Sequence, residues 1–152
     1  LAGGLVGPLI VMPPGQAFDV RTDHIMMISE LFENAGGAPF AINGSISPPP
    51  LAVTAGVPQR LRFTDLTLSG QNLVVSLSDG SQVIEWTPIA KDGRDLPARA
   101  QRTAVATHAL TIGETRDFRF TPKHAGRLTV GVYDLDDDHA LVASQQIDVS
   151  AP

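Results

Sequence analysis

No cysteine occurs anywhere in the 152 residues, so disulfides and thiolate chemistry are both excluded, and cysteine usage says nothing about redox compartment. Equally missing is any apolar run of the roughly 18–20 residues that a membrane helix needs. The stretch from Leu1 to Met12 is apolar, but no basic segment opens it and Gly3, Gly4, Gly7 and Pro8 interrupt it, which does not fit a signal peptide. The chain opens on Leu1 rather than on methionine, and the expectation is that something upstream has been removed. Positive charge is scarce: 11 Lys and Arg stand against 16 Asp and Glu, for a formal net charge of −5, and no basic cluster breaks the pattern. Such a surface repels phosphate, so nucleic acid is not an expected partner. Sustained helical periodicity is also lacking, because 12 prolines and 14 glycines are spread throughout. Residues 95–103 have room for one turn of helix and no more.

What remains is a folded chain. Apolar residues make up 43% and charged residues 18%, which is enough to build a core and excludes disorder. The length suits one domain, or one domain with a fragment of a neighbour. From about residue 50 onward a period of two dominates. Leu61 and Phe63 alternate with Arg60, Arg62 and Thr64, and Leu73, Val75 and Leu77 alternate with Asn72 and Ser76. Phe118 and Phe120 alternate with Asp117, Arg119 and Thr121, and Leu128, Val130 and Val132 with Thr129 and Tyr133. Each pattern predicts a strand with one buried face. Residues 24–28 form a shorter, continuously apolar run, as expected of a strand covered on both sides.

Turn signals fall between these runs. Asp79-Gly80 reads as a tight hairpin, and Asp92-Gly93, following a strand expected over residues 83–89, should place Gly93 at positive φ. Many short strands with Gly and Pro turns indicate an all-β sandwich or barrel. The N-terminus is set apart. Residues 4–11 read as one strand, and Pro13-Pro14-Gly15 as a linker into the next domain.

Several segments resemble the multicopper oxidase family. Gly4-Leu5-Val6-Gly7-Pro8-Leu9-Ile10-Val11 resembles the last strand of the first cupredoxin domain in those enzymes. Phe40-Ala41-Ile42-Asn43-Gly44 is similar to the family's F-x-I-N-G segment, with Pro48 to Pro50, Gly56 and Arg60-Leu61-Arg62 following in order. Ala90-Lys91-Asp92-Gly93 with Asp95-Leu96-Pro97 resembles the loop after a central strand, and Gly113-Glu114-Thr115-Arg116-Asp117-Phe118 the family's G-E-x-x-D-F segment. Order and spacing over nearly the whole chain carry the likeness; each piece alone is unspecific.

The resemblance implies an all-β, cupredoxin-like Greek-key β-sandwich. Residues 1–12 would be the last strand of a preceding cupredoxin domain, 13–22 a linker, and 23–152 the cupredoxin-like domain. The parent would be a periplasmic or secreted enzyme that oxidises a substrate at one copper and reduces dioxygen at a copper cluster. The partner of this chain would be the preceding copper-bearing domain, in the same protein or another subunit. Leu5, Leu9 and Val11 would then be buried against the rest of the chain or against that partner. An isolated chain would self-associate through this segment or hold it loosely.

The chemistry of the parent does not carry over to these residues. A mononuclear copper site takes a cysteine thiolate, two histidines and a weak axial methionine, and the cluster takes paired His-x-His motifs. This chain has no cysteine, and His24, His108, His124 and His139 stand isolated. No catalytic, cofactor-binding or metal-binding residue is therefore expected. Met26 and Met27 read as core filling. Asp134-x-Asp136-x-Asp138 has the spacing that opens a calcium loop, but His139 stands where glycine is needed and Gln145 where the bidentate glutamate belongs, so an acidic hairpin turn is the reading. Asn43-Gly44-Ser45 is a glycosylation sequon, meaningful only in a eukaryotic secretory host. Lys91, Asp92 and Asp95 read as turn residues rather than as an acid and base. Two functions follow from this. One is a non-catalytic domain of a copper oxidase, inactive alone and binding no copper itself; the alternative is a stand-alone sandwich that binds a protein or a glycan.

Overall fold

The computed structural model describes residues 6–31, 40–68, 70 and 72–152. Among these residues thirteen strands and one short 3₁₀ turn follow in order. They are β1 (Asp23–Glu30), β2 (Phe40–Ile42), β3 (Leu51–Thr54), β4 (Gln59–Asp65), β5 (Leu73–Asp79), β6 (Gln82–Val83) and β7 (Glu85–Lys91). After β8 (Arg94–Asp95) comes the 3₁₀ turn (Ala98–Ala100), then β9 (Ala104–Val105), β10 (Thr107–Leu110), β11 (Thr115–Phe120), β12 (Gly126–Asp134) and β13 (Ala140–Ser150). The first sheet runs β2-β1-β4-β11-β7-β8 with β9 on β7; the second runs β10-β5-β12-β13-β3 with β6 on β5. Pairing is antiparallel except for β1 with β4 and β13 with β3. No helix among the described residues is long and apolar enough to cross a membrane.

The alternating patterns place the core as expected. Leu61 and Phe63, Leu73, Val75 and Leu77, Phe118 and Phe120, and Val130 and Val132 all face the interface between the sheets and are buried. On that face Trp86 stacks on Phe118 at 3.9 Å between ring centroids, and Phe63 meets both rings edge-on at 5.9 and 6.0 Å. β1 departs from expectation in one respect. His24, Met26 and Ile28 are buried, whereas Ile25 and Met27 on its other face are only half covered.

The expected strand over residues 83–89 is two strands in two sheets. Val83 ends a hairpin on β5 and Glu85 begins β7 of the opposite sheet. The chain changes sheets at Ile84, whose N–H donates to Leu77 O at 3.0 Å and whose O accepts from Ala106 N at 2.8 Å, so the corner leaves no backbone group idle. Pro88 is tolerated inside β7 because it lies beside a bulge, where the β11 pairing slips between Asp117 and Phe118.

Residues 6–22 form no strand, and Gly4 and Leu5 of the expected strand lie outside the described residues. Leu9 and Val11 expose 89% and 83% of their surface, so they are not buried against this chain. An extended segment becomes a strand only beside a partner edge, and Gly7 and Pro8 weaken its own preference for one.

Both hairpins expected from the sequence form, the first shifted by one residue so that Asp79 ends β5 and pairs with Gln82. Gly80-Ser81 joins β5 to β6 with positive φ at Gly80 alone (57°), and Asp92-Gly93 joins β7 to β8 with positive φ at both residues (48° and 74°). The second is the type I′ arrangement, whose twist matches that of its strands. Gly93→Val is expected to destabilise the protein by about 1 kcal/mol or more, because a β-branched residue tolerates this conformation poorly. An unchanged unfolding midpoint for the variant would count against the turn assignment.

Candidate functional site

The four histidines occupy four separate places. His24 is buried at the start of β1, where its Nε2 meets Gln59 Oε1 at 2.9 Å; the Gln59 amide in turn donates to Val57 O at 3.0 Å. His108, on edge strand β10 of the second sheet, is half-buried and reaches across to Glu114 at 3.4 Å. His124 and His139 are exposed, on the β11–β12 connection and in the acidic turn before β13. Among the described residues no three His, Asp or Glu side chains gather into a group able to hold a metal ion.

The other sequence candidates are taken up by local structure. Met26 packs in the core. Asn43 and Gly44 form a turn with φ of 53° and 78°, and the Asn43 amide extends the β1 ladder: Oδ1 accepts from Met27 N at 2.9 Å and Nδ2 donates to Ile25 O at 2.8 Å. A side chain so engaged holds a strand end. The acidic turn is bound in the same way, with Asp134 Oδ1 accepting from Asp136 N at 2.9 Å and the Asp136 carboxylate accepting from the Asn72 backbone and amide at 3.1 Å. Asp92 caps β11 by accepting from Thr115 N at 3.1 Å, Asp95 is exposed in β8, and Lys91 lies 3.5 Å from Glu114.

Three features went unread in the sequence. The first is a charged ladder on the outer face of the first sheet. Arg62 donates to Asp23 at 2.5 and 2.6 Å and to Asp117 at 2.9 Å, while Arg60 donates to the same Asp117 oxygen. Burial pushes Arg62 down, but the two carboxylates outweigh it and hold the guanidinium charged. Alternation set Arg60 and Arg62, and separately Asp117, opposite the core residues of their own strands; neither the pairing of β4 with β11 nor the parallel pairing that brings in Asp23 is revealed by a local pattern.

The second is a cleft of about 650 Å³ at one end of the sandwich. Trp86 and Phe120 line its apolar part. The β5–β7 side contributes Asp79 and Glu85, and the end of β11 contributes Arg119, Lys123 and His124. Opposite charges, with one imidazole, stand there over an apolar floor.

The third is the polar clasp at the opposite end of β11, where His108 joins the two sheets through Glu114. Burial pushes Glu114 up, but the Thr111 N–H, the His108 imidazole and Lys91 outweigh it, so the carboxyl lies below its ordinary range. Burial pushes His108 below the usual imidazole range; Glu114 opposes this, and the Arg116 and Lys91 cations reinforce it. The His108 ring also meets Phe118 edge-on at 5.3 Å, which couples the clasp to the core.

The folded protein therefore sheds a proton at His108 that the unfolded chain still holds. Its contribution is complete above the ordinary imidazole value of about 6.5 and is lost as pH falls below it. Glu114 adds a second loss at lower pH, as its carboxylate protonates. Unfolding midpoints measured from pH 7.5 to 5.5 are expected to fall with acidification, and His108→Gln should flatten that slope. An identical slope in the variant would show that His108 does not couple pH to stability.

No family model matches this chain, and no curated protein sequence matches it either. Solved structures do. It is similar to Fet3p, described as a multicopper oxidase that functions in iron import, with a TM-score of 0.69 and 11% identity over 91% of this chain and 30% of that one. It is similar to a blue copper oxidase from Nitrosomonas europaea, with a TM-score of 0.62 and 17% identity over 90% of this chain and 47% of that one. A multicopper oxidase from Pediococcus acidilactici matches with a TM-score of 0.61 and 11% identity over 95% of this chain and 31% of that one. These likenesses establish the fold as the cupredoxin-like Greek-key sandwich. The chain spans between 30% and 47% of the length of these proteins.

Proposed function

We propose that this chain is a domain of a multicopper oxidase that carries no copper ligands and serves as a structural spacer beside a copper-bearing cupredoxin domain. Oxidation of substrate and reduction of dioxygen would take place elsewhere in the parent, in a periplasmic or secreted setting. The observation that carries this reading is the dispersal of ligands on a fold shared with copper oxidases. His24 is committed to Gln59 and His108 to Glu114, while His124 and His139 stand apart on separate loops. Copper of the mononuclear kind takes a thiolate with two imidazoles on one centre, and the residues present do not fit it.

The exposed segment at residues 6–12 supports the same arrangement. Apolar side chains such as Leu9 and Val11 gain by burial against another sheet edge, and among the described residues none covers them. The last strand of a preceding domain has this character, with residues 13–22 as its linker and 23–152 as the spacer domain.

The parent gene tests the reading directly. Upstream of Leu1 it is expected to encode a β-domain with paired His-x-His motifs. A stop codon, or an unrelated domain, would refute the oxidase assignment.

A further inference from the structure

The ladder between β7 and β11 stops at the rung that joins Thr87 to Arg119. Beyond it the two strands part. Glu85 and Trp86 turn to β9, while Phe120 keeps Gln59 of β4 as its partner. The cleft of about 650 Å³ opens where they separate. Trp86 and Phe120, at the edge of the aromatic core, form its floor. Val83 and Val105 also line it, and they leave 41% and 61% of their surface exposed.

The charges of the cleft are arranged unlike those of the outer ladder. In the ladder Arg60 and Arg62 close on Asp23 and Asp117, so the charges tie strands to one another. In the cleft Asp79 and Glu85 stand on one side and Arg119 and Lys123 on the other, and none of the four forms an ion pair among the described residues. Each keeps its capacity for a charged partner. A simple anion meets the two carboxylates as well as the cations, and a simple cation meets Arg119 and Lys123 as well as the carboxylates. Neither gains from the whole site, whereas a molecule with one charge of each sign on an apolar body does. We propose that this cleft binds a small zwitterion, an amino acid or short peptide with free termini. Its carboxylate lies toward Arg119 and Lys123, its ammonium toward Asp79 and Glu85, and its aliphatic side chain over Val83 and Val105.

Size and composition agree with this class of ligand. Sites for small molecules run from about 300 to 1,000 Å³, mostly apolar, with a few polar groups that fix orientation. Exposed charge pairs are individually weak, so the site discriminates by requiring both signs at once, and affinity falls in the range of about 1 mM. The site lies within this one chain and does not depend on the oxidase reading.

Trp86 is the single tryptophan of the chain, so its emission reports on the floor of the cleft. The probe is the dipeptide leucyl-leucine, compared with N-acetyl-leucyl-leucine, which lacks the ammonium, and leucyl-leucinamide, which lacks the carboxylate. Emission and heat of titration are recorded together on the purified chain. Leucyl-leucine should give a saturable change, and each blocked form should bind about fivefold more weakly or worse. Arg119→Gln combined with Lys123→Gln should abolish the preference over the amide form and keep that over the acetyl form, and Glu85→Gln should do the reverse. All three side chains are exposed, and should a variant nevertheless fail to fold, the three ligand forms on the unaltered chain decide alone. Equal affinity for the three forms would reduce the cleft to an apolar recess and overturn the proposal. Selectivity that survives both sets of substitutions would place binding elsewhere and overturn it too. So would the absence of both signals with leucyl-leucine up to about 10 mM.

Discussion

The stack of Trp86 on Phe118, closed from the side by Phe63, is the contact on which the rest of this sandwich depends. It joins β4, β7 and β11, the three strands at the middle of the first sheet, and presents their rings to the aliphatic residues of β5 and β12. Aromatic pairs of this kind contribute about 0.5–1.5 kcal/mol each beyond the area they bury, and the cluster has three. The bulge beside Pro88 sits at Phe118 itself, so the stack and the local slip of register are one feature. From Phe118 the order passes to His108, and through His108 to Glu114 and the edge of the opposite sheet.

With the core closed in this way, polar side chains act as stitches. His24 with Gln59, Gln145 with Pro49 O, Asn43 with the β1 backbone and Asp136 with Asn72 each satisfy a strand end or a loop. The imidazole, carboxylate and amide groups named here are engaged in this work, whereas His124 and His139 remain exposed.

Strand existence was legible wherever one face is buried, because Leu61 with Phe63 and Val130 with Val132 impose a period of two on the sequence itself. The Asp92-Gly93 turn was legible because few residue pairs accept two positive φ angles in succession. Sheet membership was not. Nothing local distinguishes a straight strand at residues 83–89 from a corner at Ile84, since the corner is held by Leu77 and Ala106 from elsewhere in the chain. The partners of His24 and Arg62, 35 and 39 residues away, were hidden for the same reason. The extended reading of residues 4–11 came from composition, and composition does not say whether a partner edge is present. At the candidate site, the lack of paired histidines was visible directly; the commitment of His24 and His108 to other partners required the fold.

The central proposal is that this chain holds no copper site of its own, and a copper titration of the purified chain tests it most directly. With visible absorption and oxygen uptake recorded together, the account predicts only weak binding to exposed imidazoles such as His124 or His139, removed by a mild chelator. It predicts no intense thiolate-to-copper band and no oxygen consumption. Stoichiometric copper that resists the chelator, or oxygen uptake by the chain itself, would contradict it.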